Sequence, residues 1–159
     1  MVTYYIQTRL FIQDHNRILI YGGLALLAVV LIAVLVIRSK RSAEAKAAGL
    51  LGLGEQYYYA ENFEQARVSL NQVVDTYAGT QAAGTATFFL ANIAFQEDDC
   101  ESAEAKYRSY VEDYRDDPKL TSSSYAGIAA CLCKRAEYKE AGRLYEEAAR
   151  VDGAAFFVL

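Results

Sequence analysis

Residues 48–77 read AGLLGLGEQYYYAENFEQARVSLNQVVDTY, two amphipathic stretches joined by the polar turn Glu61-Asn62. Small residues such as Gly54 and Ala66 stand among large apolar residues at helical spacing, a pattern typical of two helices that pack closely. Helix-breaking residues are rare, since the whole chain contains one Pro. The stretch therefore predicts a helical hairpin.

The same pattern occurs twice more along the chain. Residues 85–114 read TATFFLANIAFQEDDCESAEAKYRSYVEDY, and residues 124–151 read SYAGIAACLCKRAEYKEAGRLYEEAARV. The equivalent alanines Ala66, Ala103 and Ala141 lie 37 and 38 residues apart, and self-similarity at such a period indicates a solenoid of stacked units. The two later turns fall at Asp98-Asp99 and Ala136-Glu137, and the other recurring positions are Leu50, Leu53, Tyr57, Phe63, Leu70 and Val73, then Leu90, Ala91, Ala94, Cys100, Tyr107 and Tyr110, then Tyr125, Ile128, Ala129, Leu132, Tyr138, Tyr145 and Ala148.

These motifs resemble the tetratricopeptide repeat, whose period is about 34 residues and whose signature has aromatic, small and alanine residues at these positions. The resemblance implies an α-solenoid of about three hairpins, and the alternative is a generic helical bundle. The longer spacing in this chain predicts hairpin connections a few residues longer than those of the family. Residues 154–159 are expected either to cap the array or to begin a further helix.

An apolar segment precedes the repeats. Residues 18–37 read ILIYGGLALLAVVLIAVLVI, without a charge, and 20 helical residues span roughly 30 Å, the thickness of the hydrocarbon core of a bilayer. A cleaved signal peptide would have a shorter apolar region, about 7–15 residues, and a small-residue cleavage site. The segment therefore predicts an uncleaved transmembrane helix. Its expected anchors at the membrane surfaces are Arg17, Tyr21, Arg38, Lys40 and Arg41.

These patterns together predict an all-α chain in four parts. An N-terminal tail or interfacial helix (1–17) is followed by the transmembrane helix (18–37), a charged helical linker (38–46) and the tetratricopeptide-like repeat domain (47–159). A chain of 159 residues is long enough for one domain and a short appendage. For the first few residues, a solvated tail is as compatible with the sequence as a helix in the interface.

The order of these parts, with the segment FIQDHNRILI at residues 11–20, is similar to that of a family of bacterial single-pass inner-membrane tetratricopeptide-repeat proteins, which includes the ancillary subunit of the Sec translocon. The resemblance implies a repeat domain that faces the periplasm and scaffolds other proteins. Two observations favour the cytoplasm instead. More basic residues follow the apolar segment than precede it, and the three cysteines are expected to be unpaired.

Composition and motifs argue against several functions. The net charge of −4 is unsuited to general nucleic-acid binding, which needs a basic surface. His15 is the only histidine, so a Cys/His zinc site lacks a second nitrogen ligand, and the acidic runs lack the pattern of a calcium loop. We expect no enzyme activity, catalytic residue, metal, cofactor or small-molecule substrate. The cysteines Cys100, Cys131 and Cys133 are interpreted as small buried apolar residues.

The remaining function is recognition by a surface of the repeats. Aromatic residues that line the inner face of stacked helices suit an extended or helical partner segment, although many of them could instead pack against neighbouring helices. The predicted function is a membrane-anchored scaffold whose partners are other proteins, integral membrane proteins among them, and the lipid bilayer. The alternative is a structural accessory subunit of a large membrane complex, held mainly by its transmembrane helix and tail. The predicted partner-binding groove contains Leu51, Glu55, Tyr58, Tyr59, Phe88, Asn92, Phe95, Gln96 and Lys134, beside the small residues Ala126, Ala130 and Cys133.

Overall fold

The computed structural model describes residues 16–115 and 117–151 of the chain. Six helices and no strand occur in this part, which confirms the predicted all-α class. The chain divides into two units, residues 1–41 and 42–159. The helices are α1 (Asn16–Tyr59), α2 (Phe63–Thr76), α3 (Gln81–Gln96), α4 (Cys100–Asp113), α5 (Pro118–Lys134) and α6 (Tyr138–Val151).

The first unit contributes the N-terminal part of α1. Every residue from 24 to 41 is exposed, and the large apolar side chains there reach 70 % exposure at Leu26. Across the stretches of chain that the structure describes, no helix carries an apolar segment long enough to cross a membrane. Most of the predicted N-terminal tail, the side chain of Arg17 and the C-terminal residues 154–159 lie outside the described residues.

The turn inside each of the three hairpins has the same backbone conformation. Glu61, Asp98 and Ala136 have positive φ angles of 57°, 65° and 64°, the left-handed conformation that commonly ends a helix. In each turn, the residue that follows donates its backbone N–H to the carbonyl five residues earlier, as in a Schellman motif. These three bonds run from Asn62 to Tyr57, from Asp99 to Ala94 and from Glu137 to Leu132, at 2.9–3.0 Å. The turns therefore lie where the sequence predicts them.

Short connections join one hairpin to the next. Four residues separate α2 from α3, and another four separate α4 from α5. The helices α3 and α5 have 16 and 17 residues, whereas α2, α4 and α6 have 14 each. The prediction of longer connections is therefore wrong. The long period instead arises because the first helix of each later hairpin is extended. Thr80 caps α3, and Asp117, followed by Pro118, caps α5.

Small residues set how closely the helices pack. Ala66, Ala103 and Ala141 are all buried. At Gly54, a Cβ atom would lie 2.6 Å from Cδ2 of Leu70, so the hairpin of α1 and α2 has no room for a side chain there. One apolar cluster is built from the end of α1 with α2 and α3, and a second from α3 to α6. Because α3 belongs to both clusters, it is buried along most of its length.

Glu44 joins the start of the second unit to α3. Its carboxylate accepts the backbone N–H groups of Gln81 at 3.0 Å and of Ala82 at 2.9 Å, which satisfies two of the amides that a helix N-terminus leaves without a partner. Three residues further on, Ala47 is fully buried. Residues 42–46 of the predicted linker are therefore part of the second unit.

Candidate functional site

The predicted groove residues fall into two environments. Phe88 is 9 % exposed, and its ring lies 5.9 Å from that of Phe89 and 6.0 Å from that of Tyr107, so it belongs to the core and not, as predicted, to the partner-binding groove. The cause is the burial of α3 on several sides. The other eight predicted residues keep some exposure: Leu51, Glu55, Tyr58, Asn92 and Phe95 are half-buried, and Tyr59, Gln96 and Lys134 are exposed.

The C-terminal ends of α1, α3 and α5 meet through side-chain contacts. Gln96 on α3 donates its Nε2 hydrogen to the hydroxyl of Tyr58 on α1 at 2.9 Å. The Nζ atom of Lys134 on α5 lies 4.4 Å from the ring centroid of Phe95 on α3, within the range of a cation–π interaction. These contacts join the first helices of all three hairpins. We name the resulting patch the first-helix surface, composed of Tyr58, Tyr59, Asn92, Phe95, Gln96 and Lys134.

Hydrogen bonds order the polar centre of this surface. The hydroxyl of Tyr107 on α4 donates to Oδ1 of Asn92, which leaves the Asn92 amide group on the side of Tyr58. Burial raises the pKa of Tyr58, against the opposing effect of hydrogen bonds from Gln96 and Asn92, so its phenol is neutral near pH 7. Gln96 is exposed, and its amide can both donate to and accept from the backbone of a bound chain.

Charged groups flank the surface on both sides. Burial raises the pKa of Glu55, one turn before Tyr58 and Tyr59 on α1. At the opposite end, Lys134 forms an ion pair of 2.6 Å with Asp98, and that hydrogen bond raises the pKa of Lys134. The pair is exposed and nearly neutral overall. The surface therefore offers aromatic rings and amide groups with little net charge.

Three residues outside the predicted groove also shape this surface. Phe89 supports Tyr58 at a ring distance of 4.9 Å, Tyr107 orients Asn92, and Asp98 holds Lys134. Tyr107 was a recurring position of the second hairpin, so its place in the core could be predicted, but its bond to Asn92 could not. Asp98 lies in one of the predicted turns, and its partner Lys134 is 36 residues away along the chain.

Metal-ligating side chains and pockets were compared across the residues that the structure describes. Within residues 16–115 and 117–151, no group of three or more His, Cys, Asp or Glu side chains is placed to hold a metal ion. A pocket of about 130 Å³ lies between α2, α3 and α4, and a wide-open one of about 350 Å³ lies at the start of α6, where it is lined by residues 136–140 alone. Arg67, Asn71, Asp99, Ser102 and Lys106 are the polar lining residues of the smaller pocket.

Three antiparallel hairpins with equivalent turns, small residues at the helix crossings and a shared first-helix surface define a helical repeat protein of the kind that binds other proteins. Residues 11–156 match the family model described as a tetratricopeptide repeat-like domain. The match covers most of the chain, and the chain belongs to this family. No curated protein and no solved structure matches the chain.

Family membership confirms the predicted tetratricopeptide repeats, and domains of this family typically serve as non-enzymatic interaction modules. The finer resemblance, to bacterial single-pass inner-membrane proteins such as the ancillary subunit of the Sec translocon, stays a prediction.

Proposed function

We propose that this protein is a membrane-tethered scaffold whose first-helix surface binds a segment of a partner protein. The observation that carries the proposal is the match of residues 11–156 to a tetratricopeptide repeat-like domain, a fold that works by binding other proteins. The contacts that join the ends of α1, α3 and α5 support the position of the binding surface.

The chemistry of the surface favours an uncharged partner segment with apolar side chains. Tyr59 is 74 % exposed and can cover an apolar side chain with little loss of conformational entropy, as aromatic anchors at interfaces do. Gln96, which is exposed, supplies an amide group for the backbone of an extended or helical segment. Because Lys134 is paired with Asp98, that end of the surface has no net charge to attract a strongly acidic or a strongly basic segment.

The tether is proposed from the apolar segment of α1. Residues 18–37 contain no charge, and the side chains from residue 24 to residue 37 are all exposed. Each large apolar side chain that stays in water forgoes about 1.5–3 kcal/mol, which supports a lipid or protein environment around this part of the helix. The proposed location is the bacterial inner membrane. The layout supports a periplasmic repeat domain, whereas the basic residues Arg38, Lys40 and Arg41 support a cytoplasmic one.

Site-specific photo-crosslinking tests the binding surface. A photoreactive phenylalanine analogue replaces Tyr59 in the full chain, and in a matched control it replaces Tyr138, an exposed tyrosine on α6. We expect crosslinks to a partner protein from position 59 and none to that partner from position 138. The substitution Gln96→Ala should reduce the yield from position 59 several-fold without loss of helicity. Equal yields from both positions would refute the first-helix surface.

A second function, that of a structural accessory subunit of a large membrane complex, is favoured by the same exposed apolar stretch. Ala25 and Ala28 lie within it, and small residues permit the close approach of another transmembrane helix. Native gels after gentle detergent extraction distinguish the two functions. A stoichiometric, salt-resistant complex that is held by residues 1–48 alone supports the accessory subunit, and a complex that requires residues 42–159 supports the scaffold.

A further inference from the structure

The small pocket between α2, α3 and α4 lies where the second helices of the first two hairpins meet. Its volume is about 130 Å³, and apolar residues of α3 form part of its lining. The polar part of the lining comes from Arg67 and Asn71 on α2, from Ser102 and Lys106 on α4, and from Asp99, the cap of α4. None of these residues belongs to the first-helix surface.

Two cationic side chains of the pocket have hydrogen-bonding capacity to spare. Arg67 forms an ion pair with Glu97 through Nη2. Its Nε atom is buried and has no hydrogen-bond partner among the residues that the structure describes. Lys106 is half-buried, and within the same part of the chain it forms no ion pair. A buried N–H group without an acceptor destabilises a fold, so an acceptor that enters this pocket is bound favourably.

The contact between the second and third hairpins has the same ion pair with the charges reversed. Arg67 and Glu104 each follow the recurring alanine of their hairpin. Glu97 and Arg135 each precede a left-handed turn residue. Arg135 donates to Glu104 at 2.6 Å, and Arg108, four residues after Glu104 on α4, donates to the same carboxylate at 2.7 Å. Glu104 therefore has two charged partners, whereas Arg67 has one.

The residue that differs between these two places is Asn71. It follows Arg67 by four residues, just as Arg108 follows Glu104, and residues four apart on a helix are neighbours on its surface. The charge that would complement Arg67 at this position is a carboxylate, which asparagine does not supply. Because the pocket borders both Arg67 and Asn71, a carboxylate from another molecule reaches the same place through it.

We propose that this pocket binds the carboxylate of an acidic side chain, Asp or Glu, of a partner protein. The Nε–H group of Arg67 and the ammonium group of Lys106 donate charge-assisted hydrogen bonds to it, and the Asn71 amide is a further donor. The apolar residues of α3 in the lining contact the methylene groups of the bound side chain.

The charges around the pocket favour a ligand with one negative charge. Arg67 and Lys106 contribute two positive charges to the lining, and Asp99 contributes one negative charge. Hydrogen bonds from Ser102 lower the pKa of Asp99, and the charge of Arg67 acts in the same direction, so Asp99 is ionised at neutral pH. A phosphate group would bring up to two negative charges next to Asp99, whereas a carboxylate brings one.

The first test uses a pair of small probes. One is a glutamate residue blocked at both ends, so that the side-chain carboxylate is its only charge, and the control is blocked glutamine, which has nearly the same shape and no charge. Each is titrated at constant ionic strength into the ¹⁵N-labelled full chain in detergent, and NMR follows the Nε–H signal of Arg67. We expect blocked glutamate to bind at least about tenfold more tightly than blocked glutamine. In Arg67→Gln, blocked glutamate should no longer shift the backbone N–H signal of Lys106.

The second test places the carboxylate within the chain. Asn71→Asp sets it four residues after Arg67, and Gln72→Asp, at the next exposed position of α2, is the matched control with the same added charge. The Tm of Asn71→Asp should exceed that of Gln72→Asp by about 1–3 °C. Asn71→Asp should also weaken the binding of blocked glutamate at least about fivefold, because its own carboxylate occupies the donors, and Gln72→Asp should not.

Equal affinities of the two probes, or binding of blocked glutamate that persists in Arg67→Gln, would overturn the inference. A wild-type affinity of Asn71→Asp for blocked glutamate would do the same. Binding of free propionate without binding of blocked glutamate would show a site for a small acid and refute the acidic side chain as its ligand. These results are independent of the crosslinks from position 59, because the pocket shares no residue with the first-helix surface.

Discussion

At the scale of the residue, the left-handed turn positions give the clearest target for substitution. Ala136 has a φ of 64° and is exposed. An L-residue other than glycine loses about 1–2 kcal/mol in this conformation, and glycine does not. We expect Ala136→Gly to raise the free energy of unfolding by about 0.5–1 kcal/mol. Urea denaturation measures this change.

The control for this substitution is Ala105→Gly. Ala105 is exposed in the interior of α4, where glycine costs about 1 kcal/mol relative to alanine. Opposite signs for the two alanine-to-glycine substitutions would support the left-handed turn. Destabilisation by both would mean that Ala136 does not hold a positive φ in solution.

A second residue-scale prediction concerns Gly127. A methyl group there would overlap the ring of Tyr107, and this ring is buried and bonded through its hydroxyl to Asn92. Gly127→Ala should therefore destabilise the protein by about 1–3 kcal/mol, as overpacking does. Gly142→Ala on α6, where the added carbon would lie more than 4 Å from every other helix, should stabilise it by about 0.5–1 kcal/mol. Thermal unfolding of both variants provides the comparison.

At the scale of the element, the sequence predicts what is local and misses what depends on packing. The turns at Glu61, Asp98 and Ala136 are set by a few neighbouring residues, so their positions could be predicted. The buried side of α3 could not, because nearly every residue from Ala82 to Ala94 is apolar or small and periodicity therefore selects no face. The predicted place of Phe88 in the groove followed instead from the inner face that the repeat assigns to its first helices.

Contacts between distant residues were also beyond the sequence. Glu44 lies in the predicted charged linker, yet it caps α3 across 37 residues of sequence. The ion pair of Lys134 with Asp98 likewise joins residues that are far apart in the sequence, here by 36 positions. The sequence offers many possible partners for a charged residue in such a segment, and the packing of the hairpins decides which partner comes within reach.

An ionic link between α4 and the final hairpin predicts that the stability of the fold depends on pH. Burial favours the neutral form of Glu104, but hydrogen bonds from Arg135 and Arg108 outweigh it and lower the pKa of this carboxyl. A lowered pKa means that the carboxylate stabilises the fold above its unfolded pKa of about 4.3. The stabilisation is lost as the pH falls through the lower pKa of the folded state.

Glu104→Gln tests this dependence. The variant should be less stable than the wild type at pH 7, and the difference should shrink as the pH is lowered from 5 to 3, because the wild type then loses the charge that the variant lacks. Urea denaturation across this range measures both. Glu112→Gln, at an exposed position of the same helix, is the control. A difference that does not change with pH would show that the carboxylate of Glu104 contributes through packing alone.

At the scale of the whole molecule, the division of the chain at residues 41 and 42 leads to the last prediction. Both apolar clusters are built from residues 47 and beyond, and Glu44, which caps α3, also lies within the second unit. A fragment of residues 42–159 should therefore fold alone, with a Tm within a few degrees of that of the full chain and without sedimenting with membranes.

The full chain should stay in the membrane pellet after an alkaline wash, because its exposed apolar stretch from residue 24 to residue 37 has no counterpart in the fragment. Replacing Leu27 and Leu31 by arginine should release the full chain, since a charge at the centre of a bilayer costs about 2.5–3.5 kcal/mol or more. A full chain that is soluble after the wash would refute the tether while leaving the repeats intact.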